Sequence, residues 1–116
     1  MKNANEHFGS HNGTEHIYTC RPFPITCTDG VKDLVENCQA YWLIDVIISY
    51  QEYKRVNSHS FQVWEIKRGK GDSFNIVATD GNERRIASQF IPFSDFPFDI
   101  ATIWLVNDTL LLPNEY

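Results

Sequence analysis

The alternation of apolar and polar positions changes rhythm twice along the chain. Val31, Leu34, Val35 and Cys38 fall at the i, i+3, i+4, i+7 spacing of one helix face, with Lys32, Asp33 and Glu36 on the solvent side. Thr28 or Asp29 supplies an N-cap oxygen, and Asn37 suits a left-handed corner. Residues 40–53 lack Gly and Pro and are apolar nearly all round, which predicts a longer, central helix. After Asn57-Ser58-His59-Ser60 the rhythm becomes that of strands: 61–67, 73–79, 84–91, 100–106 and 109–112. Turn signals separate them at residues 69–72, 80–82 and 107–108. Residues 92–99 form an aromatic and proline-rich loop. Upstream of the helices, residues 17–19 and 23–28 read as short strands. Arg21-Pro22-Phe23-Pro24 connects them, because prolines two apart disrupt helix and ladder alike.

These elements predict an α+β fold: two N-terminal helices packed on one antiparallel β-sheet of four to six strands. Residues 1–14 are polar and read as a mobile tail or loosely attached arm, with residues 15–116 as a single domain. Trp42, Leu43, Ile44, Val46, Ile47 and Ile48 are expected to supply much of the core, meeting Trp64, Trp104, Leu105 and Leu111.

Composition agrees with one globular domain: 116 residues, 42% hydrophobic, 14% aromatic and 22% charged. The length excludes a doubly wound sheet with a substrate domain, or a barrel of eight strand–helix units. The first fifteen residues hold only Met1, Ala4 and Phe8 as hydrophobics, so no secretory h-region is read and a cytoplasmic protein without membrane contact is expected. Three cysteines, Cys20, Cys27 and Cys38, match neither a disulfide framework nor a zinc ribbon and are expected as free thiols, with a single Cys20–Cys27 bridge as the less favoured alternative.

The net charge of −5 argues against whole-molecule attraction to a polyanion, but that charge is uneven. Residues 54–85 carry seven basic against four acidic side chains, while the rest of the chain carries three against eleven. Lys67, Arg68, Lys70, Arg84 and Arg85 on the hairpins within 61–85 are therefore candidate nucleic-acid contacts, with Phe61 and Trp64 as stacking faces. Charged side chains on sheet edges also serve simply to prevent aggregation.

Other constellations carry competing readings. His7, His11, His16 and Cys20 have ligand-like spacing, yet the intervening glycines give no reason for four ligands to converge. Asp45, in Tyr-Trp-Leu-Ile-Asp-Val-Ile-Ile, is a carboxylate on a helix expected to be buried. It reads as a structural acceptor first, and as a catalytic base or metal ligand second. Phe90, Phe93, Phe96 and Phe98 crowd one nine-residue stretch stiffened by Pro92 and Pro97. They either cover the core or present a surface to a partner or a second copy. No P-loop, G-x-G-x-x-G, H-E-x-x-H or G-x-S-x-G pattern is present, and no cofactor is expected.

Several runs are familiar together: T-D-G-V at 28–31, A-Y-W-L-I-D at 40–45, F-Q-V-W at 61–64, T-D-G-N at 79–82, I-P-F-S-D-F-P at 91–97 and the ending L-L-L-P-N-E-Y. The chain resembles a domain-of-unknown-function family of small bacterial proteins, often found on plasmids, phages and other mobile DNA. The resemblance implies no activity and no catalytic residues. The expected function is a non-enzymatic protein-binding or accessory module of a mobile element, touching a partner or its own copy through the Phe90–Phe98 loop. Weak nucleic-acid binding through the basic hairpins is the alternative. A small hydrolase using Asp45 or the histidines is the third.

Overall fold

The computed structural model describes residues 2–9, the backbone of 17–20, and residues 25–116. The described elements are α1 (Ala4–His7), β1 (Ile17–Cys20), β2 (Ile25–Thr28), α2 (Asp29–Asn37), α3 (Tyr41–Tyr50), α4 (Lys54–Asn57), β3 (Phe61–Arg68), β4 (Phe74–Thr79), β5 (Arg85–Ile91), β6 (Ile100–Val106) and β7 (Thr109–Leu111), then a 3-10 turn at Pro113–Glu115. The α+β class holds. The helices are not all N-terminal to the sheet in sequence, because β1 and β2 precede α2, α3 and α4.

One sheet runs in the order β1-β2-β7-β6-β3-β4-β5. The six strands β2 to β7 agree with the expected number, and β1 adds a seventh at the margin. The sheet is not wholly antiparallel, since β2 lies parallel to β7 with Thr26 opposite Thr109 and Cys27 opposite Leu110. α2 to β6 intervene between these two strands, so both can run in the same direction.

The core side of the sheet is set by period-two alternation. Trp64 and Ile66 of β3, Phe74, Ile76 and Ala78 of β4, and Ala101, Ile103 and Leu105 of β6 are buried. α2 places Val31, Leu34 and Val35 in the same core, beside β2, β7 and α3, on the face its spacing predicts. Thr28 caps this helix, accepting from the Val31 amide, and Gln39 rather than Asn37 adopts the left-handed corner at φ 50°.

The central helix departs from expectation. α3 buries Leu43, Ile44, Ile47 and Ile48, while Trp42 and Val46 are half-buried and Tyr41, Asp45 and Ser49 face solvent. A single sheet face contacts only one side of a helix, so the i, i+4, i+8 row opposite remains wet. Each of the four buried aliphatic side chains contributes about 1.5–3 kcal/mol.

The described part of the polar N-terminal segment does not hang free. Asn3 bridges in parallel to Ile100, and the Lys2 carbonyl accepts from the amides of Asp99 and Ile100. Asn5 completes this ladder with its side chain: its Oδ1 accepts from Thr102 N at 2.6 Å and its Nδ2 donates to Thr102 O at 2.8 Å. β7 pairs only with residues 104–106 of β6, leaving the first half of that strand without a neighbour on this side. Residues 2–5 fill the gap, and Ala4 and Phe8, four apart, are buried as the arm seats.

The C-terminal turn closes onto the start of α2. The Glu115 carboxylate accepts from Thr28 Oγ1 at 2.6 Å, Gly30 N at 3.1 Å and Leu112 N at 2.9 Å. A negative charge at a helix N-terminus is favourable. A Cβ at Gly30 would stand 2.5 Å from Glu115 Oε1, so the position needs glycine for this approach. Cys27 is disulfide-bonded, which corrects the expectation of free thiols at that position, and the β1–β2 register puts positions 20 and 27 on one face of the hairpin. Among the described residues Cys38 is a free, buried thiol.

Candidate functional site

The Phe90–Phe98 stretch leaves the sheet from β5, the strand at its far margin. Its four phenylalanines split into two roles. Phe96 is fully buried against Phe74, ring centroids 5.8 Å apart, and half-buried Phe98 packs 6.0 Å from it. Phe90 and Phe93 stay 59% and 70% exposed. The stretch therefore divides between core cover and exposed surface within nine residues.

Arg68 pins the buried half. Its Nε donates to Asp99 Oδ1 at 2.8 Å, its Nη1 to Asp72 at 3.0 Å and its Nη2 to the Phe96 carbonyl at 2.9 Å. The same guanidinium lies 4.7 Å from the Phe74 ring centroid. Asp99 is held below the ordinary carboxylate range, first by the Lys2 amide and then by Arg68. Ser94 N donates to the Asp72 carbonyl and Ser94 Oγ accepts from Phe96 N. Phe93 therefore projects from a loop fastened on both sides.

The exposed pair adjoins the free edge of β5. Tyr50 Oη donates to the Ser88 carbonyl at 3.2 Å, which shows that this carbonyl faces away from β4. In an antiparallel pair the direction alternates, so the backbone groups of Phe90 face outward as well. Ser49, Tyr50, Glu52, Tyr53, Arg55 and Gln89 line a groove of about 460 Å³ beside this edge. Tyr50, Tyr53 and Arg55 were not singled out from sequence. The aromatic pair at i, i+3 on a helix end was the available signal.

The basic candidates do not form one face. Lys67 and Lys70 are exposed at the β3–β4 turn, and Arg68 is consumed by its carboxylate and carbonyl partners. Arg84 and Arg85 lie at the opposite end of β4, a strand of six residues, about 20 Å away at 3.3 Å per residue. Trp64 is buried and offers no stacking face, because its side of β3 carries the core.

Asp45 is exposed and lines none of the described pockets, which removes the buried-carboxylate reading on which its catalytic candidacy rested. His7 stacks on Phe8 and Phe98 at 4.8 and 5.2 Å, so its ring covers an aromatic cluster. His11 and His16 lie outside the described residues, as does the Cys20 side chain. Among the described residues no three His, Cys, Asp or Glu side chains are grouped to hold a metal ion.

A second concavity, of about 410 Å³, opens between the α4–β3 connection and the β6–β7 turn, with Ser58, His59, Asn107 and Asp108 at its rim. Its floor is a buried amide pair. Gln51 and Gln62 exchange two hydrogen bonds of 2.9 Å, Gln62 also accepts from Trp64 Nε1, and its two Nε2 protons are shared between Gln51 Oε1 and the Val56 and His59 carbonyls. Every buried side-chain donor and acceptor among the described residues is satisfied.

No helix among the described residues is long and apolar enough to cross a membrane. No curated protein and no solved structure matches the chain. The runs 28–31 and 110–116 that suggested a family meet physically where Glu115 caps the helix beginning beside Thr28 and Gly30. A match over residues 2–116 extends that likeness to nearly the whole chain, which belongs to the family of unknown function DUF6876.

Proposed function

We propose that this chain is a non-enzymatic protein-binding module whose contact surface is centred on Phe90 and Phe93. The observation that carries the reading is that two large aromatic side chains remain exposed on a loop anchored by Phe96, Ser94 and Arg68. Exposed aromatics held in one conformation lose little entropy on binding, and such residues dominate interface energetics. The resemblance to families carried on mobile DNA extends this reading to an accessory protein of such an element.

The test is site-specific photo-crosslinking in the producing cell. A photoreactive phenylalanine analogue at position 93 should yield a discrete polypeptide adduct that disappears when Phe90→Ser is added. The same analogue at Tyr116, 75% exposed and packed on Phe61 at the far end of β3, should yield none. Equal labelling from both positions, or an adduct indifferent to Phe90→Ser, refutes the reading.

A further inference from the structure

We infer that the β5 edge receives an extended acidic segment of the partner polypeptide as an added strand. The inference rests on the reading of Phe90 and Phe93 as a polypeptide contact and names the chemistry of the occupant. Three observations converge on this margin. Among the described residues β5 ends the sheet, so a row of its ladder groups has no described strand beside it. The Ser88 carbonyl is held by a single phenolic hydroxyl, that of Tyr50. Charge is the third.

Lys54 and Arg55 belong to α4, which packs on β5, and Arg84 and Arg85 stand at the start of that strand. All four are exposed. None forms an ion pair with a described residue. Glu52, Glu83 and Asp80, whose carboxylate accepts from the Arg84 amide, are the neighbouring carboxylates, so four cations face three acids on a chain whose net charge is −5. An added strand would follow seven residues of β5, its main chain bonding to outward-facing groups such as those of Ser88 and Phe90. Its carboxylates would reach Arg55 and Arg85, and its apolar side chains would meet Phe90 and Phe93.

A polypeptide fits this margin better than a nucleic acid. The aromatic rings flank a strand edge rather than forming a platform beside the cations. Strand addition uses the ladder groups, whereas phosphate contacts leave them unpaired.

The experiment titrates the full chain with a seven-residue synthetic peptide alternating glutamate and valine. Comparison probes are its lysine counterpart, a version with proline at alternate positions, and a short single-stranded oligonucleotide. The glutamate peptide should bind, the lysine and proline versions should not, and Ser88 and Phe90 amides should gain exchange protection. Arg55→Glu with Arg85→Glu should weaken binding about tenfold, corresponding to about 1.4 kcal/mol. Tyr50→Phe releases the Ser88 carbonyl and should tighten binding about threefold.

Binding of the proline peptide as well as the first, or of the oligonucleotide alone, overturns the inference, as does weakening by Tyr50→Phe. If no peptide binds while the position-93 adduct persists, the acidic-strand inference falls and the polypeptide contact stands. If the peptide binds and the adduct is indifferent to Phe90→Ser, the centring on Phe90 and Phe93 falls and the edge site stands.

Discussion

Replacing Gln62 with leucine should destabilise the fold by about 3 kcal/mol, although the new side chain is apolar and similar in volume. Gln62 is buried at the junction of α3, α4 and β3. Its Oε1 accepts from Trp64 Nε1 and Gln51 Nε2, both at 2.9 Å, and its Nε2 shares its two protons among Gln51 Oε1 and the Val56 and His59 carbonyls. Leucine leaves the Trp64 indole N–H without a partner and the Gln51 oxygen without its donor. Gln51 Nε2 keeps only the Ile47 carbonyl. Each orphaned buried group costs about 1–3 kcal/mol. The added apolar burial returns about 1–2 kcal/mol. With two or three groups orphaned, the net is about 3 kcal/mol, a large fraction of the 5–15 kcal/mol typical of a domain. Urea unfolding followed by tryptophan fluorescence measures it. The double variant Gln51→Leu with Gln62→Leu should be less destabilised than the sum of the singles by at least about 1 kcal/mol, since it removes both halves of the amide pair. A Gln62→Leu protein within about 0.5 kcal/mol of the parent would refute the assignment of this network as a satisfied buried hub.

Other consequences follow from the same geometry. Asn5→Ala removes both side-chain bonds to Thr102 and should cost about 1–3 kcal/mol in urea unfolding, with faster amide exchange at Thr102. Gly30→Ala should lower the melting temperature by forcing Glu115 off the α2 N-terminus, and Glu115→Ala in the same chain should relieve the clash but not the lost cap. Asp99 has its pKa lowered in the fold, so its contribution is present above the unfolded value of 3.8 and is lost as pH falls through the lower folded value. Exchange at Ile100 should quicken in that acid range, and Asp99→Asn should abolish the pH dependence. Burial raises the Cys38 thiol from 9.0 to about 11, so its contribution is complete below pH 9 and lost as pH rises toward 11. Native protein should resist alkylation at Cys38 at pH 8 and react on unfolding.

What the sequence made legible was local. The apolar spacing of α2, its Thr28 cap and the turns at residues 69–72 and 107–108 depend on neighbours within a few positions, and all appear in the fold. What it hid depends on distant partners. Four phenylalanines look alike in sequence, and only Phe74 and Arg68, from β4 and β3, decide that Phe96 is buried and Phe93 is not. Asp45 looked buried because α3 is apolar on three sides, but only contact with the sheet determines which side is dry. Arg68 looked like a free cation until Asp99, thirty-one residues later, came beside it. The seat of residues 2–5 on β6 was hidden because a side-chain amide substituting for a strand leaves no periodic trace.

The β5 margin carries the devices by which natural sheets discourage edge pairing: cationic residues at its start, a register shift between Ala78 and Thr79, and a tyrosine hydroxyl on an outward carbonyl. These same devices select which strand is admitted. A second copy of this chain brings its own Lys54, Arg55, Arg84 and Arg85, so pairing β5 with β5 sums like charge along one interface, at a cost that salt relieves. An acidic strand meets the same residues with attraction, and among the described residues it would displace the hydrogen bond of Tyr50 to the Ser88 carbonyl. Specificity is a difference between two affinities, and one cationic row sets both terms with opposite sign. Self-association through Phe90 and Phe93 should therefore be weakest at low ionic strength, where capture of an acidic strand is strongest. Light scattering and peptide titration across one salt series should move in opposite directions. Parallel responses would mean that these cations do not select the partner.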